Sequence, residues 1–126
     1  MQPTFNPLKP LFQAIAEWLE DAILSDIYQE GEQVPSITDI SVQYNLNPAT
    51  ALKGVNVLVD TGLIYKKRGM GMFVSEGART KLLERRQEQF YTDFVQPLKL
   101  EAKRLQINNK ELYKMIEREV SNDNSN

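Results

Sequence analysis

The sequence predicts a mainly α-helical fold with one small β-hairpin, on three observations. Apolar residues recur every three or four positions in several separate runs, the spacing of amphipathic helices. Two of these runs are short and are parted only by Asn45-Leu46-Asn47 ahead of Pro48. Directly after them, Leu63-Ile64-Tyr65 and Met72-Phe73-Val74 frame Lys66 to Gly71, so two β-prone runs enclose a glycine-bearing tip. Two short helices joined by a tight turn and followed by such a hairpin make a winged helix-turn-helix, with a helical extension beyond it.

The elements follow in order. Leu11, Ile15, Leu19, Ala22, Ile23 and Ile27 form the inward stripe of a first helix, expected over about Pro10 to Ser25, and Pro10 suits its first position. Tyr28 to Pro35 reads as a loop, with Gly31 as its turn residue. Ser36 heads Ser36-Ile37-Thr38-Asp39, where a hydroxyl can cap a second helix and an acid three residues later suits the helix dipole. Ile37, Ile40 and Val42 are its expected inward residues, and it ends near Tyr44. Asn47 can cap a third helix that has Pro48 at its first position and buries Ala51, Val55, Leu58 and Val59, with Gly62 as its stop.

In the hairpin, Gly69 and Gly71 allow positive φ or a close backbone approach. From about Ala78 a stripe of Leu83, Phe90, Phe94, Leu98, Ala102 and Leu105 continues as helix, and Pro97 predicts a kink or break. Asn108-Asn109-Lys110-Glu111 then resembles a capping box opening a last helix to about Glu119, ahead of a polar tail, SNDNSN, expected to be disordered. Residues 1–76 are accordingly read as the winged domain and 77–126 as a dimerisation extension.

Composition narrows the function. The chain has neither cysteine nor histidine, which removes thiolate and imidazole metal ligands, disulfides and the usual Cys and His catalytic systems. Its carboxylates show no pairing by spacing, and no phosphate-binding loop is present, so no enzyme, metal or cofactor is expected. No apolar run is long enough to cross a membrane and the N-terminus lacks a secretory pattern, so a cytoplasmic location without membrane contact is expected. A net charge of −2 argues against a nonspecific nucleic-acid coat but not against cations gathered on one face. Lys66, Lys67 and Arg68 are such a gathering, beside the flexible tip, and they read as a local phosphate grip. A helix fits the major groove of B-DNA. A thin wing can approach the neighbouring backbone or minor groove.

The segment VPSITDISVQYNLNPATALKGVNVLVDTGLIYKKRGMGMFV resembles the DNA-binding domain of the GntR family of bacterial transcription regulators. The matching strings are Val34-Pro35-Ser36, Asn47-Pro48-Ala49-Thr50, Thr61-Gly62-Leu63 and Gly69-Met70-Gly71-Met72-Phe73-Val74, with Pro10-Leu11-Phe12 and Ile15 in the first helix. The short helical extension and the Asn-Pro-x-Thr turn look like the YtrA-like branch. The resemblance implies a homodimeric regulator, a repressor by expectation, reading a two-fold symmetric double-stranded DNA operator, with a small-molecule effector left open. It also implies DNA contacts from Asn47, Ala49, Thr50 and Lys53 at the start of the third helix and from Arg68 and Gly69 on the wing. Thr38, Pro48, Leu52 and Met70 stand where many members carry basic or polar side chains.

From the residues themselves, Ala49, Thr50 and Leu52 suit thymine methyl groups, and Lys53 and Asn56 suit guanine or adenine edges. Lys67 is a further wing candidate, although Lys66 and Lys67 alternate faces and one of them can be a solvated charge. Ser36 is either a phosphate contact or only its own helix cap. Leu83, Phe90, Tyr91, Phe94, Leu98 and Leu105 are the expected dimer interface. Arg79, Lys81, Arg85 and Arg86 either widen the basic surface or form a solvated face. A second reading from another class is a protein-interaction adaptor whose winged helix binds no specific DNA.

Overall fold

Local signals set where four of the helices stop, and they do so in the same way each time. The structure, a computed structural model, describes residues 8–120. The SNDNSN tail expected to be disordered lies outside them. The helix α1 (Leu11–Leu24) ends with Asp26 at φ 61°, and the Ile27 N–H returns to the Ala22 carbonyl at 2.9 Å. The pattern repeats after α2 (Ile37–Gln43), α3 (Pro48–Asp60) and α5 (Gln96–Arg104), with Asn45, Gly62 and Gln106 in the left-handed conformation. In each case the next residue is apolar (Ile27, Leu46, Leu63, Ile107) and its N–H satisfies a carbonyl of the last helical turn, which is the Schellman arrangement.

The chain forms two compact units, Met1–Arg85 and Arg86–Asn126. In the first, α1 and α3 cross closely, and Ile15, Leu19, Ile23, Val55 and Leu58 are fully buried with Ile40 of α2. The closeness depends on Gly54, where a Cβ would stand 2.8 Å from both Ile15 Cβ and the Phe12 carbonyl oxygen. A three-stranded antiparallel sheet in the order β1-β3-β2 closes the core, from β1 (Gln33–Val34), β2 (Ile64–Lys67) and β3 (Gly71–Val74). Ile64 pairs with Val74 and Lys67 with Gly71, while Val34 pairs with Met72. This is a winged helix-turn-helix.

Three expectations need correction. The segment Tyr28 to Pro35, read as loop throughout, supplies strand β1, which is too short for any periodicity and exists only because β3 pairs with it. Val42 is 77% exposed rather than inward. Two residues past Ile40 it lies on the opposite side of α2, and Ser41 takes the inner position because its hydroxyl donates to the Leu46 carbonyl at 2.6 Å. Ile27, expected on the inward stripe of α1, is 65% exposed, because the helix ends at Leu24 before reaching it. In α4 (Ala78–Phe90), Leu82 is fully buried beside Ala78, while Leu83, expected at a dimer interface, is 38% exposed.

The second unit holds the end of α4, a π-helical turn (Tyr91–Val95), α5 and α6 (Asn109–Glu117). The break expected at Pro97 is a widening. Pro97 has no N–H to give and its ring crowds the preceding turn, and just before it the Gln96 N–H reaches back five residues to the Tyr91 carbonyl. The chain therefore stays helical past the proline. The capping box of α6 forms as expected, with Glu111 N–H on Asn108 Oδ1 at 2.8 Å and Asn108 N–H on Glu111 Oε1 at 3.0 Å. Among the described residues no helix is long and apolar enough to cross a membrane.

Candidate nucleic-acid interface

Helix α3 is built to start sharply. Asn47 Oδ1 accepts the Ala49 N–H at 2.8 Å and Pro48 occupies the first turn. The turn before it is held from both sides by Ser41, whose backbone carbonyl accepts the Leu46 N–H at 2.9 Å while its hydroxyl donates to the Leu46 carbonyl. With Ala51, Gly54, Val55 and Leu58 turned into the core, the residues left outward are Ala49, Leu52 and Lys53, at one helical face, with Asn56 half-buried on the same stripe. Thr50 is half-buried at the flank. Lys53 also has a packed role, its Nζ lying 4.1 Å from the Phe12 ring centroid, an attraction to the ring face.

On α2, Thr38 is exposed and Ser36 closes a reciprocal cap with Asp39, at 3.0 Å from the Asp39 N–H to Ser36 Oγ and 3.4 Å from the Ser36 N–H to Asp39 Oδ2. That bond uses Ser36 Oγ as an acceptor and leaves its O–H as a donor.

The wing is a hairpin with Lys67, Arg68, Gly69 and Met70 exposed at its tip. The Met70 N–H closes the turn on the Lys67 carbonyl at 2.9 Å, and Gly69 at φ 75° supplies the positive φ its third position takes. Tyr65 stacks on Phe73 with ring centroids 5.9 Å apart, and Lys67 Nζ lies 5.7 Å from the Phe73 centroid on that face. Lys66 stands opposite the buried Met72.

One contact escaped the sequence reading. Gln33 of β1 donates from Nε2 to the Met70 carbonyl at 3.0 Å and so braces the tip from the sheet edge. Gly71 makes room for it, because a Cβ there would collide with the Gln33 amide. The two residues are 37 positions apart, and no local signal links them.

The charge is segregated along the same elements. Between Ile40 and Ser75 the chain carries one carboxylate, Asp60, against Lys53, Lys66, Lys67 and Arg68. Arg79, Lys81 and Arg85 do not widen this surface, since all three engage α1 or the ends of α1 and α3. Among the described residues no group of acids suggests a metal site. Burial, with the Tyr44 phenol as a smaller cause, raises the Tyr28 pKa above its ordinary value of 10.0.

No family model matches the chain. The HTH-type transcriptional repressor YtrA of Bacillus subtilis is 31% identical over 75 residues, 60% of this chain, and the chain spans 58% of YtrA's length. The DNA-binding domain of AraR, solved in complex with operator ORR3, shares the fold at 22% identity and a TM-score of 0.52, over 60% of this chain and 92% of that one. A solved GntR-family transcriptional regulator from Bacteroides thetaiotaomicron is 32% identical with a TM-score of 0.74, over 85% of this chain and 93% of that one. On that last match, over 93% of the solved chain, the chain belongs to the GntR family of transcriptional regulators.

Proposed function

We propose that the chain is a sequence-specific DNA-binding transcriptional regulator, a repressor, that acts in the cytoplasm as a homodimer on a two-fold symmetric operator. The observation that carries this reading is the segregation of charge, with four cations and a single carboxylate along the stretch that builds α3 and the wing. Phosphate neutralisation supplies most of the affinity of such proteins. Ala49, Thr50, Leu52, Lys53 and Asn56 read base edges in the major groove. Lys67, Arg68, Gly69 and Met70 carry the wing contact, with Ser36, Thr38 and Asn47 at phosphates.

Residues 77–126 supply the dimer. Phe90, Tyr91, Phe94, Leu98 and Leu105 are exposed large apolar residues, as is Leu83, and Phe90 and Phe94 lie ring to ring at 5.3 Å. Exposed apolar groups in this number favour a second copy over water. A small-molecule effector would act by changing the distance between the two recognition helices, which must dock about one helical turn apart.

The test is fluorescence anisotropy on the chain's own upstream duplex and a scrambled one, at two salt concentrations, with Arg68→Ala alongside. Preference for the upstream DNA is expected, weakened by the substitution. For four phosphate contacts, affinity falls about a hundredfold over a fourfold rise in salt. Equal and salt-insensitive binding to both duplexes would refute the regulator and favour the protein-interaction adaptor.

A further inference from the structure

Three cations along α4 converge on the framework that carries α3. Arg79 Nε donates to the Leu24 carbonyl at 3.1 Å, at the end of α1, and stands 3.6 Å from Asp26 Oδ1. Lys81 Nζ donates to the Thr61 carbonyl at 2.8 Å, at the C-cap of α3, and its amine lies over Gly62. Arg85 pairs through Nη2 with Glu20 Oε2 of α1, and Glu20 is buried. Beneath them Ala78 and Leu82 fill the core.

The first two attachments place cations where the partial negative charge of a helix collects. The third is an ion pair with one buried member, and losing either partner would be costly. One attachment would leave α4 free to swivel. Three, at separate points on two helices, fix its direction.

We infer that Arg79, Lys81 and Arg85 are positioning residues that set the direction in which the chain leaves the winged domain relative to α3. They thereby set the separation and phase of the two recognition helices in the dimer. The inference rests on the regulator reading given above. None of the three residues is asked to touch DNA.

The experiment uses the full chain and palindromic duplexes recovered by selection from a randomised library, with the spacer between half-sites varied one base pair at a time. Wild-type protein is expected to prefer one spacing by about tenfold over its neighbours, because each base pair moves and rotates a half-site that must stay on one DNA face. Arg79→Gln/Lys81→Gln, at two exposed positions, should reduce that ratio to below about threefold while binding to a single half-site holds. Glu20→Gln/Arg85→Gln removes both charges of the third attachment, and it should do the same. The ratio cancels any general loss of attraction to DNA, and thermal melts verify folding.

Unchanged spacing preference in both folded variants would overturn the inference. So would wild-type binding without any spacing preference, with the regulator reading intact. If wild-type protein selects no duplex at all, the regulator reading falls and this inference falls with it.

Discussion

Replacing Gly54 by alanine adds one methyl group at the tightest point between α1 and α3. The new carbon would stand 2.8 Å from Ile15 Cβ, Ile15 Cγ2 and the Phe12 carbonyl oxygen, whereas ordinary contact begins near 3.4 Å, so the helices must part by about 0.6 Å. The oxygen belongs to the backbone and cannot swing aside. A gap of that size forfeits a quarter to a half of each dispersion contact along the seam, and overpacking of this kind costs about 1–3 kcal/mol. Alanine returns about 0.8–1.0 kcal/mol through helix propensity, so the net loss is about 0–2 kcal/mol, centred on about 1 kcal/mol. For a domain of this size, each kcal/mol lowers the melting temperature by about 4–8 °C. Differential scanning calorimetry should therefore place Gly54→Ala several degrees below wild type. Gly31→Ala is the control, because no atom lies within 4 Å of its added carbon and only the positive φ is strained. A Gly54→Ala melt at or above the wild-type temperature would show that the α1–α3 approach does not need glycine.

Other substitutions probe separate parts of the reasoning. Gln33→Leu removes the brace on the Met70 carbonyl and should weaken operator binding about two- to tenfold, the worth of one hydrogen bond, with little change in melting temperature; equal affinity would mean the wing tip holds its own shape. Gln106→Gly relieves a left-handed residue that costs about 1 kcal/mol and should raise the melting temperature by a few degrees, so a lowered one would argue against the cap geometry. Asn47→Ala removes the cap of α3 and should cost about 1 kcal/mol in denaturant titration. Tyr28 favours its neutral phenol in the folded state, so its contribution is complete below pH 10.0 and is lost as pH rises through the raised pKa. Tyr28→Phe should flatten the alkaline limb of the stability profile, and an unaltered limb would assign that loss to other groups.

What the sequence made legible was local. Ser36, Asn47 and Asn108 announce their helices by side-chain bonds within three residues, and those helices begin where the capping residues say. The hairpin was legible for a similar reason, since its two strands flank one short turn. What stayed hidden depends on partners far along the chain. Strand β1 needs β3, and the Gln33 brace spans 37 residues. Arg79, Lys81 and Arg85 reach back 55, 20 and 65 residues, so a cluster that reads as a solvated or DNA-facing patch proves to be an internal attachment. Val42 failed differently. Its hydrophobicity predicts an inward position, but the face of α2 is set by Ile40 and by the hydroxyl of Ser41, a polar residue that no apolar pattern would select.

The π-helical turn at Tyr91–Val95 has a consequence for how this extension can vary. An α-helix advances about 100° per residue, so the one extra residue held in that turn sets the angular offset between Phe90 and Phe94 on one side and Leu98 and Ala102 on the other. Substitutions within the turn leave that offset alone. Deleting a single residue there would restore ordinary winding and leave every later side chain on its present face, whereas regular α-winding with the residue retained would swing them about a quarter of the way round the axis. Homologues that keep the same apolar face along this helix should then either retain the widened turn or differ from this chain by a one-residue gap near Pro97.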